Sequence, residues 1–205
     1  MSPTVAVCIP TIPPRRALLR EALVSVLEQT RPVDEIIVVT DVDGDGAGPT
    51  RNRAWRRASA DWVAFLDDDD MLGPTHVETL LAHSAEADVV YPWFHLPTGV
   101  DPLFVHRNGE LVPAFGVPFG DEQLNHLLTQ GNFIPVTVLV RRAWLEFVDG
   151  FPTPGTARWP HAECEDWGCW QDLARHGARF KHVPERTWTW RWHGLNTSGK
   201  PWRRP

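Results

Sequence analysis

The chain has 205 residues, 20 of them lysine or arginine against 26 aspartates and glutamates, and its net charge of -6 provides no global attraction to nucleic acid or to an anionic membrane surface. No stretch approaches the roughly 20 apolar residues of a membrane span, and residues 1–16 lack the charged-then-apolar pattern of a signal peptide, so a cytoplasmic protein is expected. The length suffices for one sizeable core and no Gly/Ser- or Pro-rich linker divides it, which predicts a single domain over residues 1–205.

Residues 5–10 form a short apolar, β-prone run. After Pro13 and Pro14, the spacing of Leu18, Leu19, Ala22, Leu23, Val26 and Leu27 predicts a helix with one apolar side. Ile36, Ile37, Val38 and Val39 centre a second buried strand over 35–40, and the Gly- and Asp-rich loop 41–48 that follows is of a kind that approaches ligands closely. A helix over 50–60, a strand over 62–66, a helix over 74–83 and a strand over 88–93 continue the pattern. This alternation predicts an α/β fold with a mostly parallel central sheet flanked by helices. The second half is less regular, with a hairpin around Asn108 and Gly109, a strand over 136–140 and a helix over 165–176. Trp188, Trp190 and Trp192 alternate as one face of a strand does, which suits either a core or a stacking platform. Cys8, Cys164 and Cys169 are too few and too scattered for a disulfide framework or a zinc site and read as core thiols.

The most informative stretch is Asp67, Asp68, Asp69 and Asp70, directly after the apolar strand 62–66. Four adjacent like charges repel one another unless a cation neutralises them, and oxygen-only ligation suits a hard divalent ion, Mg2+ or Mn2+, carrying phosphates. A solvated acidic turn ahead of the helix near Pro74 would explain an isolated run of this kind. Here the run closes a strand in an alternating strand and helix pattern, where open α/β sheets place their ligands, and a metal site is the stronger reading.

Several segments taken together resemble the family 2 glycosyltransferases of the GT-A fold: VAVCIPT at 5–11, SVLEQT at 25–30, EIIVV at 35–39, Arg51-Asn52 and FLDDDD at 65–70. The resemblance continues in the same order through GNFIP at 131–135, Gly150-Phe151, EDW at 165–167 and RWH at 191–193, and so spans nearly the whole chain. It implies a GT-A-type transferase with a nucleotide-sugar-binding half over 1–93 and an acceptor-side half over 94–205. Such an enzyme moves a sugar from a nucleotide-diphosphate donor to an acceptor hydroxyl, with a divalent metal, Mn2+ or Mg2+, at the diphosphate.

The resemblance also implies roles for individual residues. Asp67 and Asp69 stand at the Asp-x-Asp motif, with Asp69 as the metal ligand, Asp67 meeting the donor ribose or metal waters, Asp68 beside them and Asp70 in support. Pro10 and Thr11 match the nucleotide loop, and Asp41 matches the acid that accepts a hydrogen bond from the donor base. That segment reads Thr40-Asp41-Val42-Asp43-Gly44 where the family carries Asp-Asp-Gly-Ser. Arg51 fits a phosphate or nucleotide contact because a guanidinium is a fixed fork of donors, whereas Arg53, Arg56 and Arg57 are expected mostly in solvent. Asp166 matches the catalytic acid position, a carboxylate that takes the acceptor hydroxyl's proton as the oxygen attacks opposite the leaving diphosphate, which implies inversion. Glu165 beside it is expected on the acceptor side or in support of Asp166, with the preference of acids for a helix N-terminus as the alternative. His193 resembles the histidine that completes metal coordination. Aromatic rings stack on sugar faces, although burial is the default for tryptophan; of Trp93, Trp159 and Trp167, the last is best placed to stack because it adjoins Asp166. Asp149 replaces the first glycine of the family's Gly-Gly-Phe turn, an expected alteration of the backbone there.

Two other functions use the same features. A sugar-phosphate nucleotidyltransferase would share the metal and carboxylates but attack phosphorus, and a non-catalytic nucleotide-sugar binding module would dispense with Asp166. The presence of Asp166 together with Asp69 argues against the binding module, whereas activity with a nucleoside triphosphate and a sugar phosphate would favour the nucleotidyltransferase. No feature points to nucleic acid, and the acceptor cannot be read from the residues.

Overall fold

A computed structural model describes residues 2–96, 104–107, 110–113, 119–153, 155–156, 164–191 and 193. Strand β1 (Val5–Thr11) is buried along its whole length, as a run without charge permits. It lies between β2 (Glu35–Thr40) and β3 (Trp62–Phe65), both parallel to it. A single 3-10 turn at Pro13–Arg15 leads into α1 (Arg16–Leu27), since proline lacks only an N–H that a helix start leaves unpaired. The remaining elements are α2 (Ala47–Trp55), β4 (Met71–Leu72), α3 (His76–Leu81), β5 (Val89–His95), the antiparallel strands β6 (Phe104–Arg107) and β7 (Glu110–Pro113), α4 (Asp121–Thr129), β8 (Leu139–Arg141), α5 (Arg142–Val148), α6 (Glu165–Arg175) and β9 (Phe180–Thr189).

The main sheet runs β2-β1-β3-β8-β5-β9-β4. Its two faces explain why the strands read as continuous apolar runs. Side chains alternate across a strand, so Ala6, Cys8, Val63 and Phe65 point into one core with α2, α5 and α6, while Val5, Val7, Ile9, Trp62 and Ala64 point into another with α1 and α3. Trp188 lies in this second core with Trp190 packed against it, so that pair is core rather than a stacking platform; Trp192 is outside the described residues.

The α/β class holds, but the sheet is mixed. β1/β2, β1/β3 and β5/β9 are parallel, whereas β3/β8, β5/β8 and β4/β9 are antiparallel. The short strand β8 enters between β3 and β5, a long-range insertion that local periodicity does not encode. Opposite Pro92 and Trp93 the β5/β9 register slips from Val183 to Arg186, with Pro184 in the skipped segment, because prolines donate nothing to a ladder. The helix predicted over 50–60 lies at 47–55, and the strand predicted over 136–140 is shortened to 139–141. The expected hairpin is present as β6 and β7, with residues 108 and 109 outside the described set. Leu27, predicted on the apolar side of α1, is 72% exposed. Cys8 and Cys169 are buried thiols, with burial pushing Cys8 up to about 12, but Cys164 is exposed and not core. Among the described residues no helix is long and apolar enough to cross a membrane.

Two polar residues of α1 and its C-terminal extension fix the segment that follows the acid run. Ser25 Oγ accepts the Leu72 N–H, and the Gln29 amide donates to the carbonyls of Ser25 and Gly73 while accepting the Val77 N–H. Both side chains are buried, so these bonds satisfy groups that would otherwise be stranded. They tie the start of β4 and α3 to α1 and thereby define where residues 67–70 end.

Candidate active site

β1, β2 and β3 end together, and the Asp41 N–H donates to the Thr11 carbonyl at 2.7 Å, so Pro10, Thr11, Asp41 and the acid run share one rim of the sheet. A cleft lined by Thr11, Ile12, Pro13, Arg16, Leu19 and Thr40 opens beside them. Asp68, Asp69 and Asp70 are buried, with 2%, 6% and 3% of their surface exposed, and burying carboxylates demands partners. Asp68 has three: it accepts from Thr11 Oγ1 at 2.6 Å and from the Ile12 N–H, and pairs with Arg15 Nη1 at 2.8 Å. Asp69 Oδ2 meets Arg15 Nη1 at 2.8 Å and His193 Nε2 at 3.1 Å. Asp70 accepts the Arg191 N–H at 2.9 Å, while Arg191 Nε donates to the Asp69 carbonyl at 2.6 Å and its Nη1 reaches Glu21. Asp67, the more open member, pairs with Arg51 Nη2 at 2.6 Å.

Asp67, Asp69 and Asp70 each offer an oxygen, and these oxygens lie within 4.8 Å of one another. The sequence placed Asp70 in support; the turn closed by its N–H on the Asp67 carbonyl brings it into the group and directs Asp68 away towards Thr11 and Arg15. Burial, with the Asp67 carboxylate next, pushes Asp70 up to about 8 against the pull of the Arg191 N–H. Three carboxylate oxygens this close together fit a hard divalent cation. Burial also raises Asp68, opposed by Thr11 and Arg15.

Arg51 joins this cluster to the acid pair on α6. It is 4% exposed, and its Nη1 pairs with Glu165 at 2.7 Å while Nη2 holds Asp67. Burial opposes its charge, but Asp67 and Glu165 outweigh that and its pKa is raised. With both Nη atoms committed to carboxylates, Arg51 is a tie between two acidic segments rather than the open fork that a phosphate contact would use. Close approach makes this possible: a Cβ on Gly48 at the start of α2 would come within 3.0 Å of the Glu165 side chain and the Pro152 carbonyl.

Asp166 lies in the first turn of α6. Its Oδ2 accepts from Asn132 Nδ2 at 3.1 Å and its Oδ1 accepts the Trp167 N–H at 2.7 Å. Burial, then the Glu165 charge, pushes it up to about 6, against Arg51. Trp167 itself is packed inward, its indole N–H donating to the Leu127 carbonyl at 2.7 Å, so it braces α6 on α4 instead of presenting a face to a sugar. Trp93 is half-buried against His182, and Trp159 lies outside the described residues.

Asp41 is 3% exposed and organises its own loop. Oδ1 accepts the N–H groups of Gly44 and Asp45, Oδ2 accepts that of Gly46, and Arg53 Nη2 stands at 3.3 Å. Arg53, expected in solvent, thus braces the loop together with its 2.5 Å pair to Asp45. Asp149 tolerates the place of the missing glycine because aspartate enters the left-handed region more readily than most residues; its φ is 63° and that of Gly150 is 74°. Asn52 closes it, donating to the Phe151 carbonyl and accepting from the Phe151 and Trp55 N–H groups.

The fold also brings onto these acids Arg15, Asn132 and Arg53, which had no role assigned from the sequence, and Arg191 served only as a landmark of its motif. Arg15 had no signal of its own among four arginines in residues 15–31, whereas Asn132 stood within a quoted motif and was recoverable from it. His76 and His182, given no role from the sequence, are buried, and burial pushes them down to about 3 and about 4.

Residues 41–148 match the family described as Glycosyl transferase family 2. No curated protein matches the chain. Among solved structures it is similar to S. aureus TarS 1-349 in complex with UDP-GlcNAc, with a TM-score of 0.66 and 20% identity over 95% of this chain and 60% of that one. The same fragment in complex with UDP gives a TM-score of 0.62 at 18% identity over 91% of this chain and 60% of that one. The structure of S. aureus TarS gives 0.62 at 18% identity over 91% of this chain and 36% of that one. At such identities the likeness is one of fold, and this chain spans 60% or less of the length of these structures.

Proposed function

The chain belongs to glycosyl transferase family 2, and from that premise we propose that it transfers a sugar from a nucleotide-diphosphate donor to an acceptor hydroxyl, with inversion at the anomeric carbon. The observation that carries this reading is the Arg51 bridge, which sets a three-carboxylate cluster at the rim of the sheet beside a second acidic pair on α6. Asp67, Asp69 and Asp70, with His193 beside Asp69, would hold Mn2+ or Mg2+, which when bound supplies a Lewis acid that neutralises the leaving diphosphate.

The remaining work falls to the chain itself. Thr11, Pro10 and the loop ordered by Asp41 receive the nucleoside end of the donor, and Asp41 shapes that loop through the three N–H groups it binds. Asp166 takes the proton from the acceptor hydroxyl through a carboxylate oriented by Asn132 and the Trp167 N–H. Glu165 and Arg51 position it. Residues 1–93 form the donor half and 94–205 the acceptor half of one unit.

The UDP-GlcNAc bound in the TarS structure makes uridine diphosphate the first nucleotide to test. A thermal-shift panel of UDP, GDP, CDP and dTDP, each with and without Mn2+, tests the site directly, because a ligand that binds only the folded state raises its stability. One nucleotide is expected to stabilise the protein only when Mn2+ is present; a panel without any such shift would reject the metal-diphosphate site. Asp69→Ala is expected to abolish the Mn2+-dependent part of nucleotide affinity, seen by calorimetry, and His193→Ala to weaken it less. Unchanged Mn2+-dependent affinity in Asp69→Ala would remove that residue from the ligand set.

A further inference from the structure

The acid cluster already contains a cation. The 3-10 turn at Pro13–Arg15 directs Arg15 back under the rim, where its side chain is 12% exposed and its Nη1 stands 2.8 Å from both Asp68 Oδ1 and Asp69 Oδ2. The same Asp69 oxygen is 3.1 Å from His193 Nε2. A guanidinium does not give up its proton in a protein, so it cannot yield the oxygen by becoming neutral; it has to move. Arg15 also has a second anchor. Asp68 is held by Thr11 Oγ1 and the Ile12 N–H, and faces away from the three-carboxylate group, so Arg15 keeps a buried partner when it leaves Asp69.

We propose that Arg15 is an internal counter-cation that competes with the divalent ion for Asp69, so that the ion is held firmly only after the donor's diphosphate has brought further negative charge to the site. The inference rests on the reading of Asp67, Asp69 and Asp70 as metal ligands. Arg15 pairs with the Asp69 carboxylate, and a divalent ion held by that carboxylate would have to displace the contact or approach a like charge 2.8 Å from the ligand oxygen. The diphosphate tips the balance by offering the guanidinium oxygens in exchange, while Asp68 limits how far the side chain travels. Metal and donor binding are thereby coupled, and each tightens the other by the same factor.

The test is Mn2+ binding followed by the electron paramagnetic resonance signal of the free ion, in the presence and absence of UDP, for the wild type and Arg15→Gln. Without UDP, Arg15→Gln is expected to bind Mn2+ about tenfold more tightly than the wild type, and UDP is expected to add much less to its Mn2+ affinity than to that of the wild type. An Arg15→Gln affinity for Mn2+ equal to or below the wild-type value would overturn the proposal. Should that variant fail to fold, Arg15→Met is held to the same two outcomes, and wild-type Mn2+ binding as tight without UDP as with it refutes the competition. If Arg15→Gln tightens Mn2+ binding but none of UDP, GDP, CDP and dTDP binds either protein, the competition stands and the transferase reading fails. If Asp69→Ala leaves Mn2+ affinity unchanged, the ligand set fails and the competition with it.

Discussion

Replacing Asp166 by Asn is expected to lower kcat by about 10²–10⁴-fold, the usual worth of a positioned general base, while leaving the affinity for UDP and Mn2+ near that of the wild type. The substitution keeps the size and the oxygen that accepts the Trp167 N–H, and Asp166 touches neither Arg51 nor the three-carboxylate cluster among its hydrogen bonds. What is lost is the capacity to take a proton, together with the exposed bond that Oδ2 accepts from Asn132 Nδ2. A variant that keeps normal turnover would remove Asp166 as the base, and one that lost UDP binding as well would make it a structural acid of α6. The wild type carries a second signature. Burial and the Glu165 charge push Asp166 up to about 6, so the base-competent carboxylate is depleted as pH falls below that value. Turnover is expected to fall about tenfold per pH unit well below 6 and to level off above it, and the descending acid limb is expected to vanish in Asp166→Asn. Stability has the opposite sense. A raised carboxyl pKa means that the folded state holds the proton more tightly than the unfolded chain, so this group's contribution is greatest below the ordinary carboxylate range and declines as pH rises towards 6.

Gly150→Ala is expected to destabilise the fold by about 3–5 kcal/mol, from backbone strain together with the loss of buried hydrogen bonds. The residue has φ of 74°, and a Cβ there would lie 2.3 Å from Asn52 Oδ1 and 2.5 Å from Trp55 Nε1. Neither atom is free to retreat, because the buried Asn52 amide is bonded to both backbone groups of Phe151 and to the Trp55 indole. The damage reaches the site: Phe151 meets Phe65 edge-on at 5.0 Å, and the Arg51 guanidinium stands 5.6 Å from its ring. Gly177→Ala supplies the control. That glycine has φ of 89° with nothing near its missing Cβ, so only strain of about 1 kcal/mol is expected. Urea unfolding of the two variants separates strain from steric conflict; a Gly150→Ala loss no larger than the Gly177→Ala loss would refute the packing argument.

What could be read from the chain differed by the range of the interaction involved. The strands of the donor half were legible because burial on both faces demands unbroken apolar runs, and β1, β2 and β3 have them. β4 and β8 were missed or overextended because strands of 2 and 3 residues carry too little periodicity to register. The acid run, Asp166 and Arg51 were singled out through residue type and motif order, and the fold brings them to one rim of the sheet through the Arg51 bridge. Motif order says nothing of direction, however, so the inward packing of Trp167 and the commitment of both Arg51 Nη atoms to carboxylates emerged only from the fold.

The sequence by itself determined the class of fold, the place of the acids at the end of a strand and the second acidic pair later in the chain, since each follows from local pattern and charge. Only the tertiary structure decided which carboxylates face one another, that Arg51 spans 114 residues to join Asp67 with Glu165, and that Arg15 sits on Asp69. The reason is physical: the ionisation of a buried carboxylate is set by whatever the folded chain places within a few ångströms of it, and those neighbours come from segments far apart in the sequence.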